Sequence, residues 1–179
     1  MLFADVRGST MLAEKTSPRD FTRLMNRFYS AASKVLLKTD AWIDKLVGDE
    51  IIGFYFPGFV GPDHPGVAVQ AGIEILRATG HTDKNGPWLP VGIGIHTGTA
   101  FVGAVGAQEG VTDVTALGDA VNTGARLGAS AKEGEIVLSE TTFSAANLQW
   151  SRLEQRQLEL KGKAKPVSVR VLRIVSTQA

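Results

Sequence analysis

Trp42-Ile43-Asp44-Lys45-Leu46-Val47-Gly48-Asp49-Glu50-Ile51-Ile52-Gly53-Phe54-Tyr55-Phe56, read with the opening Met1-Leu2-Phe3-Ala4-Asp5-Val6, decides the fold of this chain. Trp42 to Lys45 and Ile51 to Phe56 are apolar runs of strand length. They flank a turn at Val47-Gly48-Asp49, so the segment predicts a hairpin. Met1 to Val6 predicts a short buried strand that ends in an acidic residue. Asp5 and Asp49 therefore both sit at strand ends. Two such carboxylates suit divalent cations, because Mg²⁺ takes one or two carboxylates plus the oxygens of a phosphate substrate. A pair of ions can clamp a displacement at phosphorus. Capping of local turns is the competing reading for each aspartate taken alone.

Outward from this segment the pattern alternates between helix and strand. Arg7-Gly8-Ser9-Thr10 leads into a helical stretch. Ser17-Pro18 is a helix start, and Phe21, Leu24, Met25, Phe28, Ala32, Val35 and Leu36 keep helical spacing to about Lys38. Pro57 to Gly66 is a turn-rich loop, Val67 to Ala78 a second amphipathic helix and Gly80 to Pro90 a polar loop. Leu89 to His96 and Thr99 to Val105 are strands around Thr97-Gly98, which predicts a second hairpin. The glycines at 92, 94, 98, 103 and 106 are many for strands, and mark bulges or a close approach by a backbone or a ligand. Val111 to Thr115 is a further extended arm, and Gly118 to Ala131 is a helix with Asp119 in its first turn. Glu135 to Leu138 is a strand, followed by a short helix Glu140 to Ala145 capped by Ser139. Trp150 to Leu160 and Val167 to Val175 are the last extended segments. This order predicts one α+β domain over residues 1–179 with a largely antiparallel sheet.

Composition narrows the class. The 179 residues suffice for one domain with its own core, at 44% hydrophobic and 21% charged content. A net charge of +1 argues against a nucleic-acid partner. The absence of cysteine removes disulfides and thiolate metal sites and fits a reducing, cytoplasmic setting. No apolar run approaches the roughly 20 residues that span a bilayer, so direct membrane insertion by this segment is not expected. Met1 falls inside an apparent strand, which suggests either a domain cut from a longer chain, with regulatory domains elsewhere, or a very compact protein.

Four clusters carry chemistry: Asp5 with Asp49; Lys45 with Thr115; Asn122 with Arg126, four apart on one helix face; and Lys161, Lys163 and Lys165 around Gly162. Singly, each has an ordinary reading as a solvated or capping residue. Together they resemble the catalytic domain of class III nucleotidyl cyclases, the adenylate and guanylate cyclases, over essentially the whole chain. The stretches that carry the resemblance are Leu2 to Thr10, Lys45 to Glu50, Val91 to Gly98, Val102 to Gly106, Leu117 to Leu127 and Leu160 to Lys163, in the family's order and spacing.

The resemblance implies a ferredoxin-like core of largely antiparallel sheet flanked by helices. It implies a homodimer with shared active sites at the interface. It also implies attack of the ribose 3′-oxygen on the α-phosphate of a nucleoside triphosphate, with loss of pyrophosphate. Asp5 and Asp49, with the carbonyl of Val6, match the family's ligands for two divalent cations, Mg²⁺ or Mn²⁺. Asn122 and Arg126 match its transition-state pair, and Lys163 and Lys132 match phosphate-contacting positions. Lys45 and Thr115 match the base-specifying pair, a Lys/Thr variant of bacterial adenylate cyclases. Asp113, two residues earlier, is the alternative to Thr115. Lysine offers donors only and suits adenine N1, and a hydroxyl oxygen can accept from the 6-amino group. ATP is therefore the expected substrate. The competing readings are a degenerate nucleotide-binding or dimerisation module and a guanylate cyclase. No residue stands out as general base.

Overall fold

The computed structural model describes residues 1–106, 110, 112–147, 153–163 and 165–174. Nine strands and six helices are defined there: β1 (Leu2–Val6), α1 (Ser9–Lys15), α2 (Pro18–Lys38), β2 (Trp42–Val47), β3 (Glu50–Phe54), α3 (Pro57–Val60), α4 (His64–Ala78), β4 (Val91–Ile95), β5 (Phe101–Gly106), β6 (Thr112–Leu117), α5 (Asp119–Ser130), β7 (Glu135–Ser139), α6 (Glu140–Ala145), β8 (Glu154–Leu158) and β9 (Val167–Arg173). Seven strands form one sheet in the order β2-β3-β1-β4-β7-β9-β8, and β5 pairs with β6 in a separate two-stranded sheet. Every pairing is antiparallel except β4 with β7. The α+β expectation with a largely antiparallel sheet holds.

The local signals explain most of these elements. Ser17 caps α2 by accepting from the Asp20 amide, with Pro18 in the first turn. Ser139 caps α6 in the same way, accepting from the Thr142 amide. The β2–β3 turn closes in two residues because Gly48 takes φ 62°, a left-handed value that costs glycine little.

Alternation along the central strands divides the molecule into two layers. Leu2, Ala4, Val91, Ile93, Ile95, Ile136 and Leu138 face α2 and α4, in one core with Met25, Phe28, Ala32, Leu36, Val69 and Leu76. On the other face lies α5. Leu127 and Ala131 pack against Val137, Val169 and Val171. Val121 and Ala125 pack near Phe3. Asp5 shares the alternation of Phe3 and so belongs to the α5 face.

Several expectations are corrected. Leu89–His96 and Thr99–Val105 do not pair. β4 is bound on one edge by β1 and on the other by β7, so no edge is left for β5, which takes β6 instead. β3 ends at Phe54, because Phe56 caps α3 and Pro57 opens it; a helix replaces part of the expected loop. α4 begins at His64, three residues before the expected start. The last strands are shorter than read. Residues 150–152, Val111 and Val175 of the expected segments lie outside the described residues.

Candidate functional site

The end of β1 and the β2–β3 turn bring Asp5 and Asp49 together. The Val6 amide donates to the Asp49 carbonyl at 3.0 Å, and the Tyr29 hydroxyl donates to the Gly48 carbonyl at 2.5 Å. Ser9, in the first turn of α1, donates to the Asp49 carboxylate, and Arg7 pairs with the Asp5 carboxylate. Glu50 sits directly opposite Asp5 in the β1–β3 register. Burial pushes the Asp5 carboxyl up, Arg7 pulls it back, and Asp49 pushes it up again. Burial, then Asp5 and Asp49, push Glu50 up to about 7. The sequence reading missed Arg7, Ser9 and Glu50; their adjacency to the two aspartates was the available signal.

No group of three His, Cys, Asp or Glu among the described residues could hold a metal ion. Two carboxylates and a backbone carbonyl nevertheless fit an ion that completes its shell with phosphate oxygens. The crowding of negative charge at Asp5, Asp49 and Glu50 suits a cation there.

The second group spans β2 and β6. Lys45 Nζ pairs with Asp113 Oδ2 at 2.5 Å, and this partner raises the lysine's pKa. The Thr115 hydroxyl donates to Asp44 Oδ2 at 3.1 Å. Lys45, Thr115 and Asp113 are thus neighbours, and both candidates for the second base-contacting position stand beside the lysine. Asp44 was missed, although it precedes Lys45 in sequence.

The third group joins α5 to the β8–β9 turn. Asn122 is exposed and Arg126 half-buried, and among the described residues their side chains make no hydrogen bond. A Cβ on Gly162 would stand 3.3 Å from the Arg126 guanidinium, so the turn lies against that side chain; Gly162 also needs its φ of 80°. Lys163 Nζ reaches Asp119 Oδ2 at 2.5 Å and holds that carboxyl below its usual range. Beside it Lys161, Lys163 and Lys165 line an open pocket of about 450 Å³. Lys132 is not part of this group. It follows the C-terminal cap of α5, and its amide donates to Glu135. Lys132 thus lies past the C-terminal end of α5, whereas Lys163 pairs with Asp119 in its first turn.

Among the described residues no hydrogen bond or ion pair joins Asp5 or Asp49 directly to Lys45, Thr115, Asn122 or Arg126; Arg7, paired with Asp5, reaches the far end of α5 at the Ala129 and Ala131 carbonyls.

The sequence model of the adenylate and guanylate cyclase catalytic domain matches residues 1–172. An adenylate cyclase of Anabaena cylindrica is 30% identical over 178 residues, covering 94% of this chain and 35% of that protein. An adenylate cyclase of Mycobacterium bovis is 27% identical, covering 91% of this chain and 37% of that protein. The chain thus spans about a third of the length of these relatives. Among solved structures, the adenylyl cyclase CyaB from P. aeruginosa superposes with a TM-score of 0.80 at 30% identity, covering 97% of this chain and 92% of that one. The guanylyl cyclase Cya2 superposes with a TM-score of 0.84 at 27% identity, covering 95% and 88%.

Proposed function

This chain belongs to the adenylate and guanylate cyclase catalytic-domain family, and from that premise we propose that it is an adenylate cyclase domain converting ATP to 3′,5′-cyclic AMP and pyrophosphate. The observation that carries the choice of base is Lys45, a pure donor, placed beside two acceptor-bearing side chains, Asp113 and Thr115. That set complements adenine, which offers an acceptor at N1 and a donor at its amino group. Guanine presents the reverse pattern.

The roles follow from chemistry. Asp5, Asp49 and the Val6 carbonyl would hold two divalent ions, Mg²⁺ or Mn²⁺. Such ions, when bound, acidify the 3′-hydroxyl and neutralise phosphate charge. Arg126 offers a fixed fork of donors to charge building on the phosphate oxygens. Asn122 orients the ribose by hydrogen bonds. Lys163, in its lysine-lined pocket, meets the terminal phosphates as a point charge. Lys132, at the far end of α5, is the weaker candidate for a phosphate contact.

That neither aspartate directly contacts Lys45, Thr115, Asn122 or Arg126 among the described residues supports a homodimer with shared sites. Asp5 and Asp49 of one protomer would face Lys45, Thr115, Asn122 and Arg126 of the other. The symmetry of such a dimer gives a sharp test. Asp49→Ala and Arg126→Ala should each be inactive alone. On mixing, one site of the heterodimer carries both lesions and the other carries neither, so cyclic AMP formation returns. Cross-linked heterodimers without activity would refute the shared site. Residues 1–172 make up the family's catalytic domain.

A further inference from the structure

We infer that Asp44 fixes the Thr115 hydroxyl as an acceptor toward the base, and so sets the choice between a 6-amino and a 6-oxo purine. The inference rests on the adenylate reading above and deepens it. In a regular strand, Asp44 and Lys45 would point to opposite faces. Here β2 carries a bulge. Ile43 stands opposite Gly53 and Lys45 opposite Ile52, which leaves Asp44 without a partner in the register. Bulges re-aim side chains and recur beside active sites. The result is that both neighbours turn to β6. Lys45 meets Asp113, and Asp44 meets Thr115. Asp113 and Thr115 are two apart on one strand and so share a face.

A threonine hydroxyl has one proton and two lone pairs, whereas a carboxylate can only accept. The Thr115 proton is directed to Asp44 Oδ2 at 3.1 Å. What remains for a ligand is the lone pairs. Adenine's amino group can donate to them; the 6-oxygen of guanine or hypoxanthine would meet lone pair with lone pair. An unanchored threonine would rotate and serve either base. The other Asp44 oxygen, Oδ1, is buried and has no hydrogen-bond partner among the described residues. Among the described residues no other hydrogen bond or ion pair is made to this carboxylate, and the Lys45 ammonium feels its charge.

The test compares kcat/KM for ATP and for inosine triphosphate in the wild type, D44N, T115V and the double variant. The amide of D44N can donate to Thr115 and turn its proton outward. The ATP/ITP ratio should then fall about tenfold, the effect of one mispaired buried group. D44A, which removes the acceptor without adding a donor, should lower the ratio by less and guards against a misfolded D44N. T115V should lower the ratio too, and D44N/T115V should go no lower than T115V alone, because the aspartate acts through that hydroxyl. A folded D44N or D44A with an unchanged ratio, or additive losses in the double variant, overturns the inference alone. A ratio that collapses in D113A but not in T115V gives the amino group to Asp113 and overturns it as well. A wild type that prefers the 6-oxo nucleotide overturns the adenylate reading and the inference together.

Discussion

Gly94→Ala should unseat helix α5 and with it the proposed catalytic pair. A Cβ at this position would stand 2.5 Å from the Leu127 carbonyl carbon and 2.6 Å from Gly128 Cα, with the Gly128 nitrogen nearer still. Carbon atoms pack at about 3.5–4.0 Å, so the two backbones must part by about 1 Å or more. β4 has no room to retreat. Its other face is Val91, Ile93 and Ile95, all fully buried, and both its edges are hydrogen-bonded. The helix must move. Overpacking costs about 1–3 kcal/mol, and a clash with main chain belongs at the upper end of that range. A displacement of about 1 Å at Asn122 and Arg126 should lower kcat on the order of 10²-fold. Cyclic AMP formation at saturating ATP and Mn²⁺, with urea unfolding of the same preparation, reads both effects. Gly58→Ala is the control: nothing lies within 4 Å of its Cβ, so it should be neutral in both assays. A Gly94→Ala protein with an unchanged urea midpoint and near-normal kcat would show that α5 does not seat the pair.

Three more outcomes follow from the site and its scaffold. Asp5→Ala or Asp49→Ala should cut turnover on the order of 10²-fold or more with the fold intact; near-normal rates at saturating Mn²⁺ in both would sink the metal assignment. Lys45→Glu sets an acceptor against adenine N1 and should narrow the ATP-over-GTP preference by about 5- to 150-fold, the effect of one buried unpaired group; competition assays check it. Glu135 is nearly fully buried and bonds Arg156 at 3.0 Å through both oxygens, with Arg173 at 2.6 Å. Burial works to raise its pKa, but Arg156, the Lys132 amide and Arg173 outweigh it and hold the carboxyl at about 2. A depressed folded-state pKa adds stability above the unfolded value of about 4.5, lost as pH falls toward about 2; the difference is worth roughly 3 kcal/mol. Glu135→Gln should lower the urea midpoint at pH 7 and flatten its dependence between these values, whereas parallel profiles would refute the linkage.

What the sequence made legible was local. Ser17-Pro18 and Ser139 announced their helices, because a cap is made within four residues. Gly48-Asp49 announced its hairpin, because only a short turn of that chemistry closes two residues. The β4 glycines correctly signalled a backbone at close range, and α5 is that backbone. Strand partnership was not legible. The expected β4–β5 hairpin failed because β4 is claimed by β1 and, across the whole length of α5, by β7; such pairings come from distant segments. The bulge at Asp44 left no trace in the alternation of Trp42 to Val47, so the turn of Asp44 toward Thr115 could not be foreseen. The Glu135 cluster draws on three strands and was hidden for the same reason. Among the candidate site residues, the sequence singled out those with recognisable motif spacing. Arg7, Ser9 and Asp44 act by supporting a neighbour, and no spacing marks that.

The local connections have a consequence for the proposed dimer. Lys45 and Asp49 flank one turn, yet they would serve different sites. The same holds for α5. Arg7 bridges the Asp5 carboxylate to the carbonyls of Ala129 and Ala131 at the end of that helix, at 3.0 and 3.3 Å. Asn122 lies about 10 Å earlier along the axis. In the proposed dimer one rigid helix would thus brace the aspartate of one site and present the asparagine and arginine of the other. A movement of α5 would alter both sites at once, whichever protomer holds the nucleotide. Physical continuity of this kind can carry coupling, but only if the helix has two discrete seats to choose between. The fully packed glycine contact at Gly94 leaves one seat closer to the sheet unavailable, so any second seat must lie outward.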